Sequence, residues 1–236
     1  MKIALTFGDL HIPYVAKGVC DIIFQISKDY KFDEIIYSGD MVDASQLSTK
    51  FVNTETYQIS LNEEMEMFED FTKRLRKISP KSKYIMLKDN HFDKRLELYL
   101  AMNPALDGMI KEYDFGIHET SEYNVPYFPF GQRKLGMIHG DICSDNFSKA
   151  LTTMYTHDII TFHTHTSQQY TNKNGVTAYG IGCTCKLNMA YRHNAPTRWK
   201  NEIAVITYCE RTNQYNIERI PINNGKAFFR GKVYGI

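Results

Sequence analysis

The chain has 236 residues, of which 43% are apolar and 23% charged, with a net charge of +1. That composition is ordinary for a globular protein, and the charge balance excludes a global basic field for nucleic acid, though not a local groove. No run approaches the ~20 apolar residues of a membrane span.

Met1 to His11 reaches Asp9 too soon for the apolar core of a signal peptide, so a cytoplasmic protein is expected. Five cysteines at 20, 143, 183, 185 and 209 make an odd count without repeated spacing, which suits a reducing compartment. Cys183 and Cys185 read as ordinary strand thiols rather than half of a metal site.

Ile3 to Phe7 is an apolar run closed by Gly8, the mark of a buried strand. Pro13 then opens a helical spacing through Val15, Val19, Ile22, Ile23 and Ile26. Ile35 to Tyr37 reads as a second strand. Leu61, Met65, Phe68, Phe71, Leu75 and Ile78 mark a long helix stopped at Pro80, and Tyr84 to Leu87 is a third strand. The basic stretch Lys73 to Lys83 reads as the solvated end of that helix. This alternation predicts a parallel sheet with helices on its faces.

From about residue 115 the pattern turns to short strands: Tyr123 to Phe130, Leu135 to Ile138, Ile159 to Phe162, Val176 to Ile181, Ile203 to Cys209 and Tyr215 to Ile220. One helix near 145 to 156 interrupts them. The expectation is one domain over 1–236, with the β-rich part 166–236 completing a second sheet.

Five polar clusters follow predicted strands: Asp9-Leu10-His11, Gly39-Asp40-Met41-Val42-Asp43, Asp89-Asn90-His91, His139-Gly140-Asp141 and His163-Thr164-His165. Ligands of open α/β sheets collect at the carboxyl ends of strands, so loops distant in sequence can converge there. Side chains two apart on an extended segment point the same way, which lets Asp9 and His11 share one ion. His163 and His165 either share one or take one each. Imidazole and carboxylate suit Mn, Fe, Zn, Co or Ni. Two such ions, about 3.5–4 Å apart, would clamp phosphoryl oxygens and lower the pKa of a bridging water, whose hydroxide becomes the nucleophile.

The order D-x-H, GD-x-x-D, N-H, H-G-D and H-x-H resembles the signature of the calcineurin-like metallophosphoesterases, over residues 9 to 165. The resemblance implies a four-layered α/β/β/α sandwich of two mixed sheets flanked by helices. It implies two divalent ions, Mn foremost, with Asp9, His11 and His165 on one, Asn90, His139 and His163 on the other, and Asp40 bridging both. His91 would then protonate the leaving group or stabilise charge on the phosphate. Asp43 would orient a ligand or an arginine.

The chain departs from that pattern in three places. Asp89 and Phe162 stand where the family has glycine. Phe92 stands where a carboxylate would polarise His91, leaving Asp93 or Asp141 as substitutes. GDMVDASQ lacks the Asp-Arg-Gly continuation of serine/threonine protein phosphatases, which argues against a phosphoprotein substrate. The full ligand set and His91 favour an enzyme over the non-catalytic interaction modules that also use this fold.

A nucleotide or nucleic-acid phosphoester, diester or monoester, is the expected substrate. Arg95 and Lys94 lie close enough in sequence to approach a phosphate, or else are simply solvated. Tyr191, Arg192, His193 and Arg198 between Lys186 and Trp199 suit either a nucleotide contact or a packed loop. Oligomeric state is not legible.

Overall fold

The computed structural model describes residues 1–48, 59–106, 108, 113–189 and 197–235. Strand β1 (Lys2–Phe7) pairs in parallel with β2 (Glu34–Tyr37), which pairs in parallel with β3 (Lys83–Leu87). Between them run helices α1 (Val19–Asp29) and α2 (Leu61–Ile78). A capping box starts α2: Ser60 Oγ accepts from the Glu63 backbone N–H at 3.2 Å, and Glu63 Oε2 accepts from the Ser60 N–H at 2.7 Å. Helix α1 begins later than Pro13 suggests. Residues 14–16 are instead tied to the segment at 184–186, through Ala16 N–H to Thr184 O and Lys186 N–H to Tyr14 O.

The remaining elements are α3 (Asp93–Met102), β4 (Glu119–Ser121), β5 (Leu135–Met137), α4 (Phe147–Met154), β6 (Asp158–Thr161), β7 (Gln168–Thr171), β8 (Thr177–Gly180), β9 (Asn201–Cys209), β10 (Gln214–Asn223), β11 (Lys226–Phe229) and β12 (Lys232–Tyr234). Tyr123 to Phe130 is not a strand. Pro126 and Pro129 remove two ladder donors there, and the segment keeps one bridge, Tyr127 to Met137, before a 3₁₀ turn over Pro129–Gly131.

Two mixed sheets result, ordered β12-β11-β10-β9-β1-β2-β3-β4 and β5-β6-β8-β7. Only β7 and β8 of the C-terminal part enter the second sheet. Strands β9 to β12 extend the first, with β9 antiparallel to β1, which corrects the expectation that 166–236 completes the second sheet. A strand's own apolar pattern says how much of it is buried; it does not say which sheet receives it.

Period-two alternation builds the layers. Leu5, Phe7, Ile35, Tyr37, Tyr84, Ile203 and Val205 face α1 and α2 in the largest core. Their neighbours Ala4, Ile36, Ile85, Ala204 and Ile206 face Leu135, Met137, Ile160 and Phe162 of the second sheet. Beyond it, Ile159 and Ala178 pack on Phe147 and Leu151 of α4. The order helix, sheet, sheet, helix is the expected four-layered sandwich.

Candidate metal centre

Five strand ends meet at one edge of the sandwich. Asp9 and His11 follow β1, Asp40 follows β2, and Asn90 and His91 follow β3, while His139 follows β5 and His163 and His165 follow β6. Neighbouring loops are stitched by backbone bonds, Asp9 N–H to Gly39 O at 3.0 Å and His11 N–H to Asp40 O at 2.9 Å. A side chain joins the two sheets: Asp9 Oδ2 accepts from the His163 N–H at 3.1 Å.

Asp9, His11, Asp40, His163 and His165 all carry positive φ, between 46° and 67°. Such backbone is rare for residues with a Cβ, and its clustering at polar loops singles these loops out as a candidate site. Gly39, at φ 88°, has a separate reason: a Cβ there would lie 2.5 Å from His139 Nδ1.

Each histidine's tautomer follows from its outer partner. Asp43 Oδ1 lies 2.9 Å from His11 Nδ1, and a carboxylate accepts only, so the proton sits on Nδ1 and the Nε2 lone pair turns inward. There it lies 3.2 Å from His165 Nε2, which is itself 3.3 Å from Asp9 Oδ1. Ser38 O lies 2.8 Å from His139 Nδ1, so His139 Nε2 faces Asp40 Oδ2 at 3.2 Å and Asn90 Oδ1 at 3.0 Å.

Acceptors thus face acceptors in a buried place. Asp9 Oδ1 and His163 Nδ1 are buried without any hydrogen-bond partner, a costly arrangement unless a proton or cation lies between. Without an ion, burial and then Asp40 act on His139 in opposite senses; the carboxylates win, and the imidazole is pushed up to about 10. Burial, reinforced by His139, pushes His163 down to about 4. A divalent cation answers the same demand, and imidazole with carboxylate is its donor set. The residues fit.

Among the described residues, three groups have ligand atoms within 4.8 Å of one another: His11, Asp40 and His91; Asp40, His139 and His163; and His11, His165 and Cys185. Asp40 belongs to two of them. All seven ligands expected from the sequence converge.

His91 Nδ1 donates to Asp43 O at 2.9 Å, with Asp43 Oδ1 at 3.4 Å. Neither Asp93 nor Asp141 takes the place of the missing carboxylate. Asp93 accepts from the Asp89 N–H, and Asp141 is exposed. Asp43 serves His11 and His91 at once. Arg95 donates to Asp43 O at 2.8 Å and approaches His91 Nε2 at 3.2 Å, so it braces His91 instead of standing free for a phosphate. Asp89, in place of the glycine, accepts from the Asp40 N–H at 2.7 Å and from the Phe92 N–H at 2.8 Å, tying the Asp40 loop to the start of α3. Burial, then Asp40, raises its carboxyl to about 7.

The centre opens into a cleft of about 550 Å³ whose outer wall carries Cys143, Asp145, Phe147, Thr197, Arg198 and Trp199. Arg198 pairs with Asp145 at 2.6 Å. Arg192 and His193 lie outside the described residues. Cys183 and Cys185 lie between β8 and β9, not within a strand, and both are buried. Cys143, Cys185 and Phe147 were not foreseen as part of the site; the only signal for Cys143 is its place four residues after His139.

No family model and no curated protein sequence matches the chain. Solved structures do. Vacuolar Protein Sorting 29 from Cryptosporidium parvum superposes with a TM-score of 0.51 at 15% identity, covering 98% of this chain and 94% of that one. Wild-type Vps29 complexed with Zn²⁺ from Entamoeba histolytica gives 0.52 at 11% identity, covering 96% of each. The fold is metallophosphoesterase-like. At these identities the likeness concerns the fold alone, and the convergent donor set is this chain's own. No helix among the described residues is long and apolar enough to cross a membrane.

Proposed function

We propose that the protein is a metal-dependent phosphoester hydrolase. The observation that carries this reading is the inward convergence of Asp9, His11, Asp40, Asn90, His139, His163 and His165, with the N–H of His11 and of His139 turned outward onto Asp43 and Ser38 O. In it, Asp9, His11 and His165 would hold one ion and Asn90, His139 and His163 the other, with Asp40 offered to both. Bound there, the ions would supply Lewis-acid charge to the phosphoryl oxygens and activate a water. Mn is the first choice, with Fe, Zn, Ni and Co fitting the same donors; the Zn²⁺ bound by the Entamoeba neighbour supports a borderline metal.

His91 stands at the cleft beside Asp40, its Nδ1–H fixed on Asp43 O, so Nε2 is the nitrogen offered to a leaving group. Protonation there is general acid catalysis, which requires the substrate to displace Arg95 from Nε2. Phe147, Trp199 and Arg198 on the wall suit the base and phosphate of a nucleotide or nucleic-acid substrate.

A second reading, a non-catalytic interaction module that takes a protein partner, is favoured by the comparisons: both neighbours bear the name of a sorting protein, not of a hydrolase. Hydrolysis of bis-p-nitrophenyl phosphate and p-nitrophenyl phosphate with added Mn²⁺ decides between them. Turnover that Asp40→Ala abolishes supports the enzyme. A chain that binds Mn²⁺ yet hydrolyses neither ester is the module.

A further inference from the structure

Four histidines of the centre need an outer partner for the ring nitrogen that does not face an ion, since a metal-bound imidazole keeps its proton on the other nitrogen. His11 has Asp43 and His139 has Ser38 O, the oxygen partners such rings ordinarily find. The two histidines of His163-Thr164-His165 have sulfur instead. Cys143 Sγ lies 2.9 Å from His163 Nε2, which leaves Nδ1, buried and without a partner, to take an ion. Cys185 Sγ lies 3.8 Å from His165 Nδ1, while His165 Nε2 faces His11 and Asp9. The cysteines come from different places, Cys143 from the loop entering α4 and Cys185 from the buried segment before β9.

We propose that Cys143 and Cys185 are positioning residues, each accepting the outer N–H of one histidine of that motif and so fixing the ring that holds one ion. The proposal rests on the metal-centre reading above. It gives the centre an asymmetric support: the β1 and β5 histidines are held by strong oxygen acceptors, the β6 pair by sulfur, a weak one. It also separates the two thiols. Cys185 is fully buried, whereas Cys143 lines the open cleft.

Direct ligation by Cys185 is the rival, because its sulfur lies within ligand range of His11 and His165. Cobalt distinguishes the two. Trp199 is the only tryptophan, and its ring centroid lies 4.1 Å from that of His165, so Co²⁺ entering the centre quenches its fluorescence.

In a Co²⁺ titration of the metal-free chain, with cobalt counted by mass spectrometry, Cys143→Ala weakens one ion's binding about 10–100-fold, the usual effect of losing an outer partner. Cys143→Ser, which keeps an acceptor, recovers most of that loss. Cys185→Ser weakens the other ion, and neither variant changes a sulfur-to-cobalt charge-transfer band, because none is present in the wild type. A band that disappears in Cys185→Ser overturns the positioning role in favour of ligation. Titrations of wild type and Cys143→Ala that coincide overturn it outright; this variant, at an exposed position, carries the test if Cys185→Ser does not fold. A wild-type chain that takes up no cobalt removes the metal-centre reading and this proposal together, an outcome distinct from binding that the variants leave unchanged.

Discussion

The floor of the cleft and its outer wall are built differently. On the floor, Asp9, His11, Asp40 and His139 are no more than 1% exposed, and each is fixed by backbone strain, a backbone bond or an outer acceptor. On the wall, the Arg198–Asp145 pair has side chains 65% and 75% exposed, the setting in which an ion pair contributes about 0–1 kcal/mol. In the hydrolase reading the floor would set which reaction is possible, through groups that cannot be changed without leaving a buried charge unpaired. The wall sets what is admitted, through groups that can be changed at little cost to folding.

The largest expected effect tests the floor at its centre. Asp40→Ala takes a ligand from both ion groups and leaves two neighbouring positive charges without their carboxylate, so dialysed protein should approach zero metals per chain. His11→Ala should approach one. Equal loss in both variants, by mass spectrometry, removes the bridging role and leaves the fold assignment standing.

Next in size is His91→Ala, which should keep its metals and lose about 10²–10⁴-fold in turnover on a poor leaving group. The loss should shrink on a p-nitrophenyl ester, whose leaving group needs no proton. Equal rates for wild type and variant on both esters would remove His91 as the acid. Asp43→Ala should follow, with about 10–100-fold weaker metal binding, because it releases the Nδ1–H of His11.

Glu64 sharpens the comparison from beneath the floor. It is 1% exposed and accepts from the Ala44 N–H at 2.8 Å, behind the Asp43 turn; burial is the main cause that raises its carboxyl to about 7. A raised folded pKa means that stability is fully present below the unfolded value near 4.5 and is lost as pH rises through about 7. The loss is at most about 3 kcal/mol. Glu64→Gln should flatten that part of the profile, read as the thermal midpoint of metal-free protein between pH 5 and 8; an unchanged slope would show that Glu64 ionises as freely as in the unfolded chain. The smallest effect belongs to the wall: Arg198→Ala should raise KM several-fold with kcat and midpoint unchanged, and a fall in kcat alone would move Arg198 to the floor.

The sequence by itself determined the parts that depend on short range. Apolar runs followed by a polar cluster located β1, β2, β3, β5 and β6, and helical spacing located α2 to the residue. Because strand ends carry the loops, the same runs placed all seven candidate ligands and His91. Weaker patterns escaped: α3 buries no residue, and β4, β7, β11 and β12 expose at least half of their residues, so they lack the continuous apolar run that marks the equally short β2, β5 and β6.

Only the tertiary structure decided the rest. It inserted β9 beside β1, because register and pairing partner are properties of two segments at once. It gave Asp43 to both His11 and His91, turned Arg95 onto His91, and set Cys143 and Cys185 against the histidines after β6. A side chain's chemical type is written locally. Arg95 and His91 are four residues apart, but the other partners, 20 to 52 residues away, are fixed by packing that no local pattern encodes.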